Sequence, residues 1–238
     1  MILTIIMPFH HEGKSIIPAL QGLQGISDIP HEILLVHDDK NDPTLPVIKG
    51  FQETSRCLQV LMNVHRPGVG GALRTGLEKA RGGYLLFLVA DDPGPLSIIR
   101  PMIELMNKGY DVVSGTRYSK GAHVSGGGVG ARVMSAWGNR LFYWAASCKF
   151  SDATCGIKMF RRDILEKIKL NMEGGWTAAF ELAIQSQRRG LKTAEIPYKS
   201  YNRLDGGPSH FKTVSRALQY GRIFLDGVRM LRFEKIDG

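Results

Sequence analysis

Two adjacent carboxylates end an apolar run in the segment GYLLFLVADDPGP, residues 83–95. Acids at such a place either begin a helix, where the helix dipole favours negative charge, or bind a hard divalent cation. A magnesium ion takes one or two protein carboxylates and completes its shell with phosphate oxygens and water. Asp91 and Asp92 are therefore candidate ligands of Mg²⁺ or Mn²⁺, and a helix cap is the alternative.

Histidine and acidic side chains also stand at the ends of two earlier apolar runs, ILTIIMP at residues 2–8 and HEILLVHDD at residues 31–39. Runs without alternation that are rich in β-branched residues are typical of parallel strands buried on both faces. Ligands of such sheets bind beyond the carboxyl ends of the strands. We therefore expect one sheet edge to collect the following polar residues: His10, Glu12, Asp38, Asp39, Asp91 and Asp92.

The elements that would position these residues alternate along the chain. Strands are predicted at 2–8, 31–39, 57–63, 83–90, 111–118 and 193–201, and helices at about 13–25, 44–56, 68–82, 96–108, 131–147, 177–189 and 212–236. This alternation predicts βαβ units and a mostly parallel sheet, hence an α/β fold. The Gly- and Ser-rich segment 119–130 is predicted to be a long loop, either functional or disordered.

The composition narrows the class of protein. With 43% hydrophobic and 22% charged residues, the 238-residue chain is typical of a globular protein. Its net charge of +9 indicates an anionic partner, which can be nucleic acid, a membrane surface or a phosphorylated substrate. The basic residues are not interleaved with aromatic ones, so we expect no nucleic-acid partner. Three cysteines without CxxC spacing fit a reducing, cytoplasmic location.

Six segments together resemble glycosyltransferase family two: IIMPFHHEG, LLVHDDKNDPT, GVGGALRTGLEKARGGYLLFLVADD, SGTRY, DATCGIKMFRRDIL and NRLDGGPSHFK. They follow one order over roughly residues 2 to 215 and are most similar to dolichol- or polyprenyl-phosphate mannosyltransferases. The resemblance implies a GT-A fold, in which helices flank a Rossmann-like, mostly parallel sheet. It also implies an inverting, metal-assisted transfer of a mannose- or glucose-type sugar from a nucleotide-diphosphate sugar to polyprenyl or dolichyl phosphate.

The resemblance places the donor at the predicted sheet edge. Its nucleotide-sugar contacts would be Pro8, His10, Glu12, Asp38, Ala90 and Asp91. His10 stands where an aromatic Tyr is more usual, and His37 replaces the first acid of a paired-Asp motif, which leaves the base of the donor open. The metal motif Asp-x-Asp reads Val89-Ala90-Asp91 here, so Asp91 is the expected Mg²⁺ or Mn²⁺ ligand. Asp92 is an extra neighbour that would substitute for the missing acid.

The acceptor phosphate would be bound by basic and hydroxyl side chains farther along the chain. The resemblance assigns this role to Arg117, Arg132, Ser135 and Arg203, and it makes Asp91, Arg117 and Arg203 the catalytic group. Arg132 and Ser135 share one helix face with Asn139. The alternatives are a solvated Arg117 and an ordinary polar helix side. Asp152 and Thr154 are expected to be turn residues.

Whether the acceptor is a hydroxyl or a phosphate depends on whether the protein has a general base. A hydroxyl acceptor needs a base, whereas a phosphate is already anionic. Glu181 is the one obvious acid in the segment where hydroxyl-using relatives carry their base, and no Glu-Asp pair is present there, which favours a phosphate acceptor. The alternatives are transfer to a hydroxyl of a glycan or small molecule, and a non-catalytic nucleotide-sugar-binding protein.

The predicted domain organisation is a GT-A domain at residues 1–211 and a basic amphipathic helix at 212–238. Such a helix can lie on an anionic membrane surface, which would make the protein peripheral on the cytoplasmic membrane face. The alternative is a helix that packs on the sheet or on a second subunit, which includes a homo-oligomer.

Overall fold

The computed structural model describes residues 2–53, 55–126, 128–202 and 213–234. The strands are β1 (Leu3–Pro8), β2 (His31–His37), β3 (Leu58–Met62), β4 (Tyr84–Phe87), β5 (Val112–Thr116), β6 (His123–Gly126), β7 (Lys158–Arg161), β8 (Thr193–Pro197) and β9 (Lys199–Asn202). The α-helices are α1 (Ile17–Gln24), α2 (Leu45–Gln52), α3 (Val69–Lys79), α4 (Ile99–Asn107), α5 (Val129–Ala145), α6 (Thr177–Arg188) and α7 (Thr213–Arg232). Short 3₁₀ helices lie at Gly13–Ile16, Gly94–Ile98, Arg162–Glu166 and Met172–Gly174.

The main sheet has seven strands in the order β3-β2-β1-β4-β7-β5-β8. All of its neighbouring pairs are parallel except the two that involve β7, which is antiparallel to β4 and β5. The predicted α/β class with a mostly parallel sheet flanked by helices is confirmed. Because β2, β1 and β4 are adjacent and parallel, their carboxyl ends meet at one edge.

Three strand assignments differ from the sequence-based prediction. The sequence pattern predicts no element for the segment 151–168, which contains β7. The predicted loop 119–130 contains β6, and the predicted strand 193–201 is broken into β8 and β9. β6 pairs with β9 in a separate two-stranded sheet. This short parallel pair joins segments about 75 residues apart, such as His123 with Lys199, and local sequence patterns carry no signal for such a pairing.

Two apolar layers cover the sheet. On one face α1, α2 and α4 contribute residues such as Leu20, Ile48 and Met102, and on the other α3, α5 and α6 contribute Leu73, Phe142 and Phe180. The strands between them are buried throughout β1 and β2, which explains the unbroken apolar runs.

The helix α7 packs on the second of these layers. The Phe224 ring lies 5.2 Å from the Phe142 ring, and the Tyr220 ring stacks on Phe180 at 6.3 Å. At Gly227 an added Cβ would lie 2.7 Å from the Ile184 side chain, so the helix approaches α6 closely. The tail helix therefore uses an apolar face for packing within the protein, which is the alternative named for it above.

Among the helices within the described residues, none has both the length and the apolar composition needed to cross a membrane.

Candidate active site

The carboxyl ends of β1, β2 and β4 bring the predicted donor residues to one edge of the sheet. Pro8 ends β1 and is buried, and His10 and Glu12 follow it in the loop before α1. Asp38 directly follows β2. Ala90, which is buried, and Asp91 follow β4. This convergence is the one that the strand pattern predicted.

Asp38, after β2, is tied to the loop between β3 and α3. One carboxylate oxygen accepts a hydrogen bond from the Asn63 amide at 2.6 Å, and the other accepts from the backbone N–H of Gly68 at 2.7 Å. Asn63 follows β3, and Gly68 is the residue before α3, with a positive φ of 116° that favours glycine. The carboxylate therefore fixes the start of α3 against the end of β2.

The glycines at the start of α3 serve close packing. A Cβ on Gly70 would lie 1.5 Å from the carbonyl oxygen of Met172, and a Cβ on Gly71 would lie 2.0 Å from that of Arg66. Backbone contact of this kind is possible only without a side chain. An open cavity of about 1160 Å³ lies beside this turn, with His10, Arg66 and Trp176 among its lining residues.

The two neighbouring carboxylates, Asp91 and Asp92, have different surroundings. Asp92 is only 4% exposed. Its Oδ1 accepts from the backbone N–H groups of Gly94 at 2.9 Å and Tyr201 at 3.0 Å, and its Oδ2 accepts from the Ser200 hydroxyl at 2.6 Å. Both oxygens of Asp92 thus fasten β9 and the turn after β4, and a role of Asp92 as a metal ligand stays a prediction.

Asp91 is half-buried at the edge itself. One carboxylate at this position fits the way in which Mg²⁺ or Mn²⁺ binds to proteins when a diphosphate supplies further ligands. Asp91 remains the candidate metal ligand.

Arg117 directly follows β5 and forms a two-point ion pair with Asp152. Its Nε and Nη2 donate to the two carboxylate oxygens at 2.7 and 2.9 Å, and its backbone N–H donates to the same group at 3.1 Å. Burial would lower the pKa of Arg117, but the ion pair outweighs it and holds that pKa well above its usual value.

This pairing occupies one side of the Arg117 guanidinium, and the predicted contact of Arg117 with the acceptor phosphate stays a prediction. The Nε and Nη2 side of the guanidinium already holds a carboxylate that has no solvent exposure. Asp152 is thus more than a turn residue, because it orients Arg117.

A chain of hydrogen bonds links this ion pair to α5. Thr154 accepts from Arg117 Nη2 at 3.3 Å and from the Asn139 amide at 2.8 Å. The same amide donates to the Ser135 carbonyl at 3.0 Å. Tyr118 closes the chain, because its hydroxyl donates to the Ser135 hydroxyl at 2.8 Å and its ring lies 5.1 Å from the Arg117 guanidinium carbon.

The predicted acceptor residues Arg117 and Ser135 therefore belong to one connected network. Arg132, one turn before Ser135, donates to the carbonyl oxygen of Val124 in β6 at 3.0 Å, so it is held beside the same network. Arg203 lies outside the described residues. The sequence interpretation missed Tyr118 and Ser200, since neither belongs to a spacing pattern that indicates chemistry.

Glu181, the acid weighed as a general base, lies in α6. Its Oε2 accepts from the backbone N–H of Asn171 at 2.7 Å. Burial and the nearby Asp226 raise the pKa of Glu181, while the hydrogen bond from Asn171 acts in the opposite direction. The carboxylate thus has a structural contact to the loop that precedes α6.

Comparison with known proteins identifies the family. Residues 4–169, more than half of the chain, match the model described as glycosyl transferase family 2. The chain belongs to this family. The predicted family is confirmed, and the protein is a glycosyltransferase.

Two relatives of this family 2 glycosyltransferase have names that describe dolichyl-phosphate glycosyltransferases. A dolichyl-phosphate hexose transferase from Haloferax volcanii is 29% identical over 200 residues, which cover 82% of this chain and 81% of the relative. A dolichyl-phosphate beta-glucosyltransferase from Drosophila melanogaster is 25% identical over 253 residues, which cover 96% and 75%.

Two solved structures share the fold at low sequence identity. Glucosyl-3-phosphoglycerate synthase from Mycobacterium tuberculosis, in complex with Mn²⁺, UDP-glucose and phosphoglyceric acid, has a TM-score of 0.72 at 15% identity and covers 95% of this chain and 79% of its own. A mannosyltransferase from Pyrobaculum calidifontis, in complex with GDP-Man and Mn²⁺, has a TM-score of 0.67 at 18% identity and covers 95% and 64%. These likenesses confirm the GT-A fold of the family 2 glycosyltransferase.

Proposed function

We propose that this glycosyltransferase moves a mannose- or glucose-type sugar from a nucleotide-diphosphate sugar to a polyprenyl or dolichyl phosphate, with inversion, at a membrane surface. The names of the Haloferax and Drosophila relatives support the acceptor class, and the nucleotide sugars bound to the two structural neighbours support the donor class.

The donor would lie at the carboxyl edge of β1, β2 and β4. Pro8, His10, Glu12 and Asp38 would contact its nucleoside, with Ala90 and Asp91 at its diphosphate. Mg²⁺ or Mn²⁺ at Asp91 would neutralise the charge that develops on the leaving nucleoside diphosphate. The protein's own part is to keep this edge in place, which Asp38 does by holding Asn63 and Gly68.

The acceptor phosphate would bind at the network on α5, where Arg132 and Ser135 are held by Val124 and Tyr118. A phosphate oxygen is already a nucleophile at neutral pH, so the reaction needs no general base. The structural contact of Glu181 to Asn171 agrees with this acceptor class. Arg203, outside the described residues, stays in the proposal as a second arginine at the acceptor.

One observation carries the proposal: α5 has two chemically different faces. Ser135 and Asn139 point into the network, whereas an apolar set at helical spacing is exposed to solvent: Val129, Val133, Met134, Trp137, Leu141 and Trp144. Trp137 and Trp144 are 68% and 66% exposed. An exposed patch of large apolar side chains marks an interaction surface. A lipid phosphate matches these two faces, because it has a charged phosphate head and an apolar chain.

We propose that this surface, the outer face of α5, binds to a lipid bilayer. Exposed arginines lie on the same two helices, with Arg140 on α5 and Arg222 and Arg232 on α7, and their charge complements anionic headgroups. Arg232 also donates to the carbonyl oxygens of Trp144 and Ala145, which joins the two helices. Tryptophan suits the interface between the bilayer and water.

Vesicle flotation tests the surface. The protein should bind phosphatidylglycerol vesicles more tightly than phosphatidylcholine vesicles, and the double variant Trp137→Ala with Trp144→Ala should bind at least about 10-fold more weakly, which corresponds to about 1.4 kcal/mol. Val64→Ala, at an apolar residue that is 68% exposed elsewhere, is the matched control. Equal vesicle binding by the tryptophan variant and the Val64→Ala control would contradict the proposed bilayer contact. If the protein forms a dimer and only the tryptophan variant loses it, the surface binds a second copy of the chain instead.

Product analysis tests the reaction. Purified protein, polyprenyl phosphate and Mn²⁺ should convert one donor from a panel of UDP- and GDP-sugars into a solvent-extractable lipid-linked sugar. A panel that gives no lipid-linked sugar with either Mn²⁺ or Mg²⁺ would contradict the proposed function.

A further inference from the structure

Two consecutive histidines and a buried aspartate meet beside the donor edge. His10 and His11 follow β1, and Asp42 lies between β2 and α2. One candidate ligand atom from each of the three residues lies within 4.8 Å of the other two. The two imidazole rings stack, with centroids 4.3 Å apart and planes 24° from parallel. The histidines are exposed and the carboxylate is buried, so an ion could enter from solvent and meet a fixed anion.

The backbone around the cluster is fixed by Asp42 and Thr44. Asp42 Oδ2 accepts from the backbone N–H of His11 at 2.8 Å, and its Oδ1 accepts from that of Thr44 at 2.8 Å. The Thr44 hydroxyl accepts from the N–H of Gly13 at 2.9 Å. These bonds hold His11 at a φ of 56°, in the left-handed region that is costly for a residue with a side chain. The loop is thus held in one conformation before any ligand binds.

A second carboxylate determines how His11 can act as a ligand. Asp39 Oδ2 lies 3.1 Å from His11 Nε2. An ionised carboxylate only accepts hydrogen bonds, so in a neutral His11 this contact favours a proton on Nε2, and Nδ1 is then the nitrogen that would bind an ion. Metal-binding histidines commonly donate their other ring N–H to a carboxylate in this way, which fixes the tautomer and the ring orientation.

The chemical types of the three ligand atoms favour one class of metal ion. Two imidazole nitrogens with one carboxylate oxygen suit Zn²⁺ and similar transition metals, whereas Mg²⁺ prefers oxygen ligands only. Ligand atoms at about 2.0–2.2 Å from one tetrahedral zinc ion are about 3.3–3.6 Å apart, so rotations of the exposed rings would have to draw the cluster together around it. A water molecule would complete the tetrahedron.

We propose that His10, His11 and Asp42 form a binding site for Zn²⁺ or a similar transition-metal ion, separate from the Mg²⁺ or Mn²⁺ position at Asp91. Asp39 is a positioning residue in this site, since it would orient His11 without binding the ion. The proposal concerns the metal alone. His10 is also a proposed contact of the donor, so the test uses no donor, and its outcome is independent of the transferase assay.

Zinc titration of the untagged full chain tests the site, with a chromophoric zinc indicator as competitor and with metal-free protein. We expect one Zn²⁺ per chain with an affinity that the double variant His10→Ala with His11→Ala lowers at least about 100-fold. Asp39→Asn should lower it by about 10- to 100-fold, as loss of such an orienting carboxylate does in other metal sites. The matched control is His123→Ala, at an exposed histidine in β6, which should bind zinc as the unmodified chain does.

Co²⁺ substitution adds a structural readout. Cobalt bound by nitrogen and oxygen ligands in a tetrahedral site should give visible absorption bands that both histidine substitutions remove. Circular dichroism of each variant shows that it is folded. Stoichiometry below one, or zinc binding that the double variant and Asp39→Asn leave unchanged, would overturn the proposal.

Discussion

Two regions of the molecule are built in different ways: the proposed donor edge, at the carboxyl ends of β1, β2 and β4, and the proposed acceptor network, which links Arg117 to α5. At the donor edge, carboxylates hold backbone N–H groups: Asp38 holds Gly68, and Asp92 holds Gly94 and Tyr201. In the acceptor network, side chains hold one another, from Arg117 through Asp152 and Thr154 to Asn139. The first arrangement fixes loops at the ends of strands. The second fixes functional groups through a buried ion pair, so its stability and its function are coupled.

The largest expected effect comes from breaking that ion pair. Asp152→Asn keeps the shape of the side chain but leaves the Arg117 guanidinium without its counter-charge, so we expect a loss of about 3–5 kcal/mol in the free energy of unfolding. Chemical denaturation measures it. Arg74→Gln removes an exposed ion pair with Glu78 at 3.1 Å and should cost less than about 1 kcal/mol. Equal losses of unfolding free energy in Asp152→Asn and Arg74→Gln would mean that the Arg117–Asp152 ion pair stabilises the protein no more than an exposed ion pair does.

The second prediction separates the neighbouring carboxylates. Asp92→Asn loses an acceptor for buried donors and should reduce the free energy of unfolding by about 1–3 kcal/mol. Asp91→Asn should leave stability within about 0.5 kcal/mol but reduce metal-dependent turnover at least about 100-fold, since a bound metal supplies several kcal/mol of transition-state stabilisation. Denaturation and initial rates with Mn²⁺ measure the two effects. A reversed pattern would make Asp92 the metal ligand.

The third prediction concerns one hydrogen bond of the acceptor network. Tyr118→Phe removes the hydroxyl that donates to Ser135 and should cost about 0.5–1.5 kcal/mol of stability. If Ser135 binds the acceptor, KM for polyprenyl phosphate should rise severalfold while KM for the nucleotide sugar stays unchanged. Tyr143→Phe, at a tyrosine that is 44% exposed on the same helix as Ser135, is the control. A change in KM for the nucleotide sugar alone would contradict the proposed contact of Ser135 with the acceptor phosphate.

The smallest effect is expected at Glu181. Burial raises the pKa of its carboxyl above the ordinary value of 4.5, so the folded protein binds this proton more tightly than the unfolded chain does. The free energy of unfolding should therefore fall as pH rises from 4.5 through the raised pKa. Glu181→Gln should weaken that dependence, as denaturation at pH 4 and pH 7 can show. Transfer rates should stay within about twofold, and a large loss of kcat with a steeper pH–rate profile would restore Glu181 as a base.

The sequence predicted well which residues meet at the carboxyl edge of β1, β2 and β4, because the signals for this arrangement are local. Apolar runs that end in Pro8, Asp38 or Asp91 are short-range patterns, and the sheet then brings their ends together by a general rule. The acceptor network could be predicted only in part. Ser135 and Asn139 share a helix face, which spacing reveals, but the pairing of Arg117 with Asp152 joins positions 35 residues apart. No periodicity reports such a contact.

The difference between Asp91 and Asp92 was also beyond the sequence. Whether a carboxylate is used within the protein depends on which donors the fold brings near it, and Ser200 and Tyr201 come from the other end of the chain. The break between β8 and β9 that delivers them lies inside a segment that reads as one continuous strand.

The choice between phosphate and hydroxyl acceptors is tested most directly with two matched lipids. Polyprenyl phosphate and the corresponding polyprenol, which has the same chain and a free hydroxyl, are supplied with the same nucleotide sugar and Mn²⁺, and lipid-linked sugar is quantified by mass spectrometry. The account predicts product from the phosphate only, and none when Asp91 is replaced by Asn. Product from the alcohol at a comparable rate, lost in Glu181→Gln, would contradict it.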